Sequence, residues 1–188
     1  MRVVGGRLKG KPLKAPAGDG TRPTSDRLRE SLFNILAHGR MGDAVEDARV
    51  IDLFAGSGAL GIEALSRGAR FCLFIEEDAG ARGAIRENCS ALGLNGTTKI
   101  FRRDAAAMGP LERFEPFTLA FLDPPYGKGL GERALASLSE GGWLADDALC
   151  VLEERADIEI AAPDGFELLD TRAQGQGAVT FLRWTGTS

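Results

Sequence analysis

From Val50 onward, short apolar runs alternate with stretches of helical spacing, and a chain patterned in this way is directed to a parallel sheet wrapped by helices. Strands are expected at Arg49 to Phe54, Phe71 to Glu76, Thr98 to Arg102, Leu119 to Asp123 and Leu149 to Glu153. Helices are expected at Ala59 to Arg67, Ala79 to Leu92, Pro110 to Phe114 and Gly131 to Ser139. Beyond these the pattern changes. Glu159-Ile160, Phe166 to Gln174 and Ala178 to Trp184 are β-rich, and Gly175-Gln176-Gly177 joins the last two as a hairpin would, so the final strands should be antiparallel to one another. Upstream, Thr24 or Ser25 is placed to cap a helix from Asp26 to His38, with Leu28, Leu32, Phe33, Ile35 and Leu36 at helical spacing. Arg27, Arg29 and Glu30 should face outward and Gly39 should end it. Arg2 to Val4 and Leu8 to Leu13 suit a small hairpin around Gly5-Gly6. The fold class is α/β, a doubly wound sheet with a C-terminal hairpin.

At 188 residues the chain suits one domain, an N-terminal arm over 1–24 followed by a body over 25–188. No apolar run approaches the ~20 residues of a membrane span, and Arg2-Val3-Val4-Gly5-Gly6-Arg7 lacks the apolar core of a secretory signal. A cytoplasmic protein is expected. Cys72, Cys89 and Cys150 are odd in number, widely spaced and set in apolar or helical stretches, which points to burial rather than to disulfides or zinc. His38 is the only histidine, so a serine-histidine-aspartate triad or a multi-histidine metal site is not expected, and no metal ligands are assigned. The net charge is −4, but residues 1 to 40 hold nine Lys/Arg against three Asp/Glu. An acidic body therefore carries a basic arm, whose Arg2, Arg7, Lys9 and Lys11 are candidates for contact with nucleic-acid phosphates.

Two motifs carry chemistry. Asp52-Leu53-Phe54-Ala55-Gly56-Ser57-Gly58 ends the first expected sheet strand and opens a helix, where open α/β sheets bind ligands, and glycine there lets a cofactor approach the backbone. Glu76, with Glu77 after it, ends the second strand and is suited to ribose hydroxyls; Asp104 follows the third and is suited to an adenine amine. Gly56, Gly58 and Gly61 also meet the dinucleotide spacing, so the loop by itself does not separate NAD from S-adenosylmethionine. The fourth strand separates them better. Asp123-Pro124-Pro125-Tyr126 follows Leu119-Ala120-Phe121-Leu122, and its two prolines hold the backbone stiff with carbonyls outward. An amine on an aromatic base is a poor nucleophile, because its lone pair is delocalised into the ring. The Asp123 carboxylate and the Pro124 carbonyl could accept both amine hydrogens and favour a pyramidal nitrogen aimed at a methyl group, with Tyr126 stacked on the base.

Arg2 to Gly10, the segment Arg22-Pro23-Thr24-Ser25-Asp26-Arg27-Leu28-Arg29-Glu30-Ser31-Leu32-Phe33-Asn34-Ile35-Leu36, the glycine loop and Asp-Pro-Pro-Tyr together resemble the RsmD family, closely over residues 1 to about 130. The resemblance implies a seven-stranded class I, Rossmann-like S-adenosylmethionine-dependent methyltransferase acting on the 2-amino group of a guanine in 16S ribosomal RNA. It implies that Gly56 and Gly58 lie under the methionine portion of the cofactor, Glu76 holds the ribose, Asp104 and Ala105 lie near the adenine, and Arg22 and Thr24 flank the cofactor carboxylate. The target base would leave its stack to reach Asp123 to Tyr126. Other readings of the residues are an adenine 6-amino DNA methyltransferase, a nicotinamide-dependent oxidoreductase and a non-enzymatic RNA-binding module. The small size suggests that the substrate is presented within an assembled or partly assembled small ribosomal subunit, and a monomer is expected.

Overall fold

The computed structural model describes residues 1–17 and 25–186. Its centre is a seven-stranded sheet in the order β3-β2-β1-β4-β5-β7-β6. Strands β1 (Arg49–Leu53), β2 (Phe71–Ile75), β3 (Thr98–Phe101), β4 (Phe117–Leu122) and β5 (Leu144–Arg155) pair in parallel. β7 (Gly177–Trp184) lies antiparallel between β5 and β6 (Phe166–Gln174). This is the class I methyltransferase architecture, with the expected hairpin at its end.

Strand residues alternate between two cores. Val50, Phe74, Phe121, Val151 and Phe181 face one side, against Leu32, Phe33 and Leu36 of α1 (Asp26–His38), Ile62 of α2 (Ala59–Ser66) and Ile85 of α3 (Ala79–Ala91). Ile51, Ile75, Ala120, Leu152 and Leu182 face the other, against Ala134, Leu135 and Leu138 of α4 (Leu130–Glu140). Right-handed crossovers explain the division: the chain runs outward from β1 through α2 and α3, then returns to the opposite side of β1 and continues through α4. The reversal falls between β1 and β4, so their carboxyl ends frame the crevice in which open sheets of this kind bind ligands.

Ser25 is the cap of α1, its hydroxyl accepting from the Leu28 amide, and Gly39 closes the helix. Arg29 departs from the outward placement expected of it. It lies three and four residues before Leu32 and Phe33, on the same inward stripe, and is fully buried in contact with Asp26, Glu63 of α2 and the Arg2 carbonyl.

Three other expectations are corrected. Pro110 to Phe114 is not helical: Arg113 has φ +63°, the Leu111 amide donates to the Gly141 carbonyl, and Phe114 packs against Phe71, Phe101 and Phe117. Five residues hold no helical nucleus of their own, and aromatic packing decides their path. Glu159-Ile160 forms no strand; Ile160 packs against the α4-side core instead. The N-terminal segment pairs Arg2 with Pro12 in antiparallel fashion but turns through a short 3-10 helix, Gly6–Leu8, rather than a tight glycine turn. Cys72, Cys89 and Cys150 are buried and free, and among the described residues no helix is long and apolar enough to cross a membrane.

Candidate active site

The glycine loop leaves β1 on a strained backbone. Phe54 has φ +57°, unusual for a bulky residue, and Gly56 and Gly58 have φ +57° and +78°. A left-handed non-glycine residue costs about 1–3 kcal/mol and persists only where neighbours hold it. Here they do: the Ala55 amide donates to the Ile75 carbonyl (3.2 Å), and the Gly56 amide to Glu76 Oε2 (2.8 Å). Gly58 is the N-cap of α2, and the Gly61 amide in its first turn donates to Asp52 Oδ2 (3.0 Å). Gly61 permits close contact between helix and sheet, since a Cβ there would stand 2.5 Å from Cys72 Sγ and from a Phe74 ring carbon. At Gly56, by contrast, a Cβ would meet nothing within 4 Å, so the loop opens onto free space.

Asp52 is only 1% exposed. Burial pushes its carboxyl well above the ordinary range, and the charges of Asp123 and Glu76 push it the same way, against the Gly61 hydrogen bond. Its visible work is to tie the base of the loop to α2. Glu76, half-buried at the end of β2, also receives the Asp78 amide on Oε1 (2.9 Å), so backbone donors hold both of its oxygens at the rim. Glu77 beside it is exposed, and its carbonyl accepts from Arg82. After β3, Asp104 is exposed and turns the chain by accepting the Ala106 amide on Oδ1 (2.8 Å), while Ala105 is buried.

Asp-Pro-Pro-Tyr emerges beside this loop. Leu53 of β1 pairs with Leu122 of β4 and with Ile75 of β2, so Phe54, Asp123 and Glu76 leave adjacent strands at one level. Neighbouring strands are about 4.8 Å apart, and the two motifs therefore share a rim. Asp123 is half-buried, Pro124 buried and Pro125 exposed. Two consecutive glutamates of β5 grip the turn that follows. Successive strand residues point to opposite faces, and accordingly Glu153 accepts the Tyr126 hydroxyl (2.7 Å) while the 3% exposed Glu154 accepts the Gly127 amide (3.0 Å). Sequence reasoning missed this pair; adjacent acids directly after the apolar run Ala148 to Leu152 were the available signal.

The N-terminal segment is docked beside the glycine loop, with Val3 and Leu13 in the core, the Val4 amide on Glu63 and the Leu8 amide on Ser66. Asn88 of α3, 3% exposed, joins segment to loop. Its side-chain amide donates to the carbonyls of Lys14 (3.0 Å) and Ser57 (3.1 Å), and its oxygen accepts the Lys14 amide (2.8 Å). Asn88 was also overlooked, although it sits on the inward stripe of α3 with Ala84 and Ile85, where a polar residue needs a partner. Arg2, Arg7, Lys9 and Lys11 keep their side chains exposed on this fixed backbone. Arg2 pairs with Asp26. Arg22 and Thr24 lie outside the described residues.

Comparison with known proteins adds the lineage. A family model described as conserved hypothetical protein 95 matches residues 1–183. The ribosomal RNA small subunit methyltransferase D of Escherichia coli K12 is 36% identical over 179 residues, covering 95% of this chain and 87% of that protein. The chain belongs to the RsmD family. A Bacillus subtilis relative within the same range, YlbH, described as an rRNA methyltransferase, is 38% identical over 94% of each chain. Among solved structures, an Escherichia coli chain described as methyltransferase yhhF superposes with a TM-score of 0.84 at 35% identity, covering 100% of this chain and 99% of that one. The RsmD family match spans both rim motifs, the arm and the two glutamates of β5.

Proposed function

We propose that this protein transfers a methyl group from S-adenosylmethionine to the exocyclic 2-amino group of a guanine in 16S ribosomal RNA. One observation carries the reading: the pairing of Leu53 with Leu122, which brings the glycine loop and Asp-Pro-Pro-Tyr to a common rim in a member of the RsmD family. Small-subunit RNA as the substrate class is supported by the relatives named for it. The β7 strand set between β5 and β6 departs from the 3-2-1-4-5-6 order of dinucleotide-binding sheets, which weighs against the nicotinamide reading.

The residues present fit the cofactor. The open space above Gly56 suits close approach of its methionine portion, Glu76 suits its ribose hydroxyls, and Asp104 with Ala105 suits its adenine. Glu77 is a weaker candidate for the ribose, being exposed beside it, and Asp52, closed off from water, would act by holding the loop. Phe54, Ala55, Ser57 and Gly58 supply the rest of the loop wall. Arg22 and Thr24 are proposed for the carboxylate end. When bound, S-adenosylmethionine supplies a methyl group activated by an adjoining sulfonium.

The protein's own part is to orient and to exclude. The Asp123 carboxylate and the Pro124 carbonyl would accept the two hydrogens of the guanine amine, drawing its lone pair out of conjugation and toward the methyl group. The nitrogen-carbon bond would form as the donor's sulfur-carbon bond breaks, and the proton then lost from the amine would pass to the Asp123 carboxylate or to water, with no strong base required. Tyr126, held by Glu153, would stack on the flipped guanine. Arg2, Arg7, Lys9 and Lys11 would rest on phosphates near the same rim, and ribosomal proteins of the assembled or partly assembled subunit would present the base. Incubation with labelled methyl donor and small subunits lacking the modification, followed by mass spectrometry of the digested RNA, should place the label on a guanine 2-amino group. Label found only on protein, on DNA or on adenine overturns the proposal.

A further inference from the structure

Among the described residues, the acidic body holds a basic recess that the reaction does not use. A cleft of about 460 Å³ lies between the end of α1 and the β6-β7 hairpin, with Arg40, Arg172 and Arg183 around an apolar floor that includes Ile35, Met41 and Leu169. Asp170 lines it too, bonded by Arg172 at 2.9 Å. Glu167 stands opposite Arg183 across the β6-β7 pair, so three guanidiniums against two acids leave one positive charge in excess, in a chain whose net charge is −4.

Register connects this recess to the reaction rim. Glu153, which holds the Tyr126 hydroxyl, pairs with Val179 of β7, and Val179 pairs with Arg172 of β6. Cross-strand partners share a face, so Tyr126, Glu153, Val179 and Arg172 form one row on the α1 side of the sheet. From that row the cleft runs down β7 to Arg183, roughly 14 Å for four residues of strand. It begins at the level of the base-holding loop and leads away from it on the side opposite the N-terminal arm, since β2, β3 and α3 lie across β1 from β6.

We propose that Arg40, Arg172 and Arg183 form a second phosphate-binding track, which holds the backbone of the substrate RNA on the far side of the target guanine from the arm. The proposal rests on the function proposed above. Arginine suits it, because its planar fork pairs with phosphate in two hydrogen bonds and is held at low conformational cost. With arm and track on opposite sides of Tyr126, the RNA is gripped on both flanks of the nucleotide that must leave its stack. An extruded base can then be paid for by binding on either side.

The test is binding of small-subunit RNA at several salt concentrations to the wild type, to a double variant carrying Arg40→Gln and Arg183→Gln, and to Arg183→Lys. The double variant should bind about tenfold or more weakly at low salt, with a dependence of log affinity on log salt shallower by about two. Cofactor affinity and the unfolding midpoint should stay as in the wild type, and Arg183→Lys should recover most of the binding. Unchanged affinity and slope in the double variant overturn the track while leaving the methyl-transfer reading intact. Normal binding of free RNA with poor methylation of the assembled particle would place a ribosomal protein in the cleft, and also overturns it. If the wild type itself neither binds nor methylates small-subunit RNA, the proposed function fails instead.

Discussion

Asp123 follows β4 half-buried at the rim, whereas Asp52, one strand away, is closed off from water and bonded to the Gly61 amide, so two carboxylates of one neighbourhood face different tasks. Removing the Asp123 carboxylate should cost chemistry and not cofactor. We expect Asp123→Ala to lower turnover on the order of a hundredfold or more while calorimetry still detects S-adenosylmethionine binding; full turnover would mean that the amine is oriented elsewhere. For Asp52 the prediction concerns pH. Its folded carboxyl titrates above the unfolded one, so between the two values the unfolded chain holds fewer protons. Stability falls as pH rises above the ordinary carboxylate range, until Asp52 itself ionises. Asp52→Asn keeps an acceptor for Gly61 and should flatten this decline, which thermal unfolding from pH 5 to 9 will show; parallel profiles for variant and wild type would contradict it. Asp123 was legible in the sequence because its neighbours are rare in combination. Asn88, Glu153 and Glu154 were not, because the site groups they hold are backbone or hydroxyl groups 27 to 74 residues away, which only the folded chain brings near.

At the scale of elements, the contact between α2 and β2 sets how the glycine loop is carried. Gly61→Ala would press a methyl group into Cys72 and Phe74, and the overpacking should cost about 1–3 kcal/mol in denaturant unfolding. Because α2 begins at the loop, the same variant should also bind the cofactor more weakly; unaltered stability would show that the helix can retreat freely. Elements with strong periodicity or punctuation were readable beforehand. Asp26–His38 matches the expected helix end to end, since Ser25 and Gly39 mark both limits, and the five parallel strands fall where apolar runs placed them. The failures have local causes. β5 starts at Leu144 rather than Leu149 because its first residues include Asp146 and Asp147, and it meets β4 across an irregularity between Phe117 and Leu119. The segment around Phe114 offered apolar and charged residues in helical order, but its ring found three aromatic neighbours instead.

Across the whole molecule, the two cores enclose every thiol. Burial raises Cys72 and Cys89, and it pushes Cys150 up to about 12, so almost none of the reactive thiolate forms at neutral pH. A thiol-specific reagent should therefore leave the native protein unlabelled and modify three cysteines in denaturant; rapid labelling under native conditions would reveal an opening that the packing does not suggest. The doubly wound plan itself was legible from alternation alone, while the place of β7 was not, because a hairpin pattern does not say which of its strands joins the sheet. That placement bears on biosynthesis. β7 is translated after β6 yet lies inside it, so β5 presents an unpaired edge until the residues through Trp184 have left the ribosomal tunnel. The nascent chain must guard that edge for the time taken to synthesise some thirty more residues, and the sheet is completed by insertion rather than by growth at its margin.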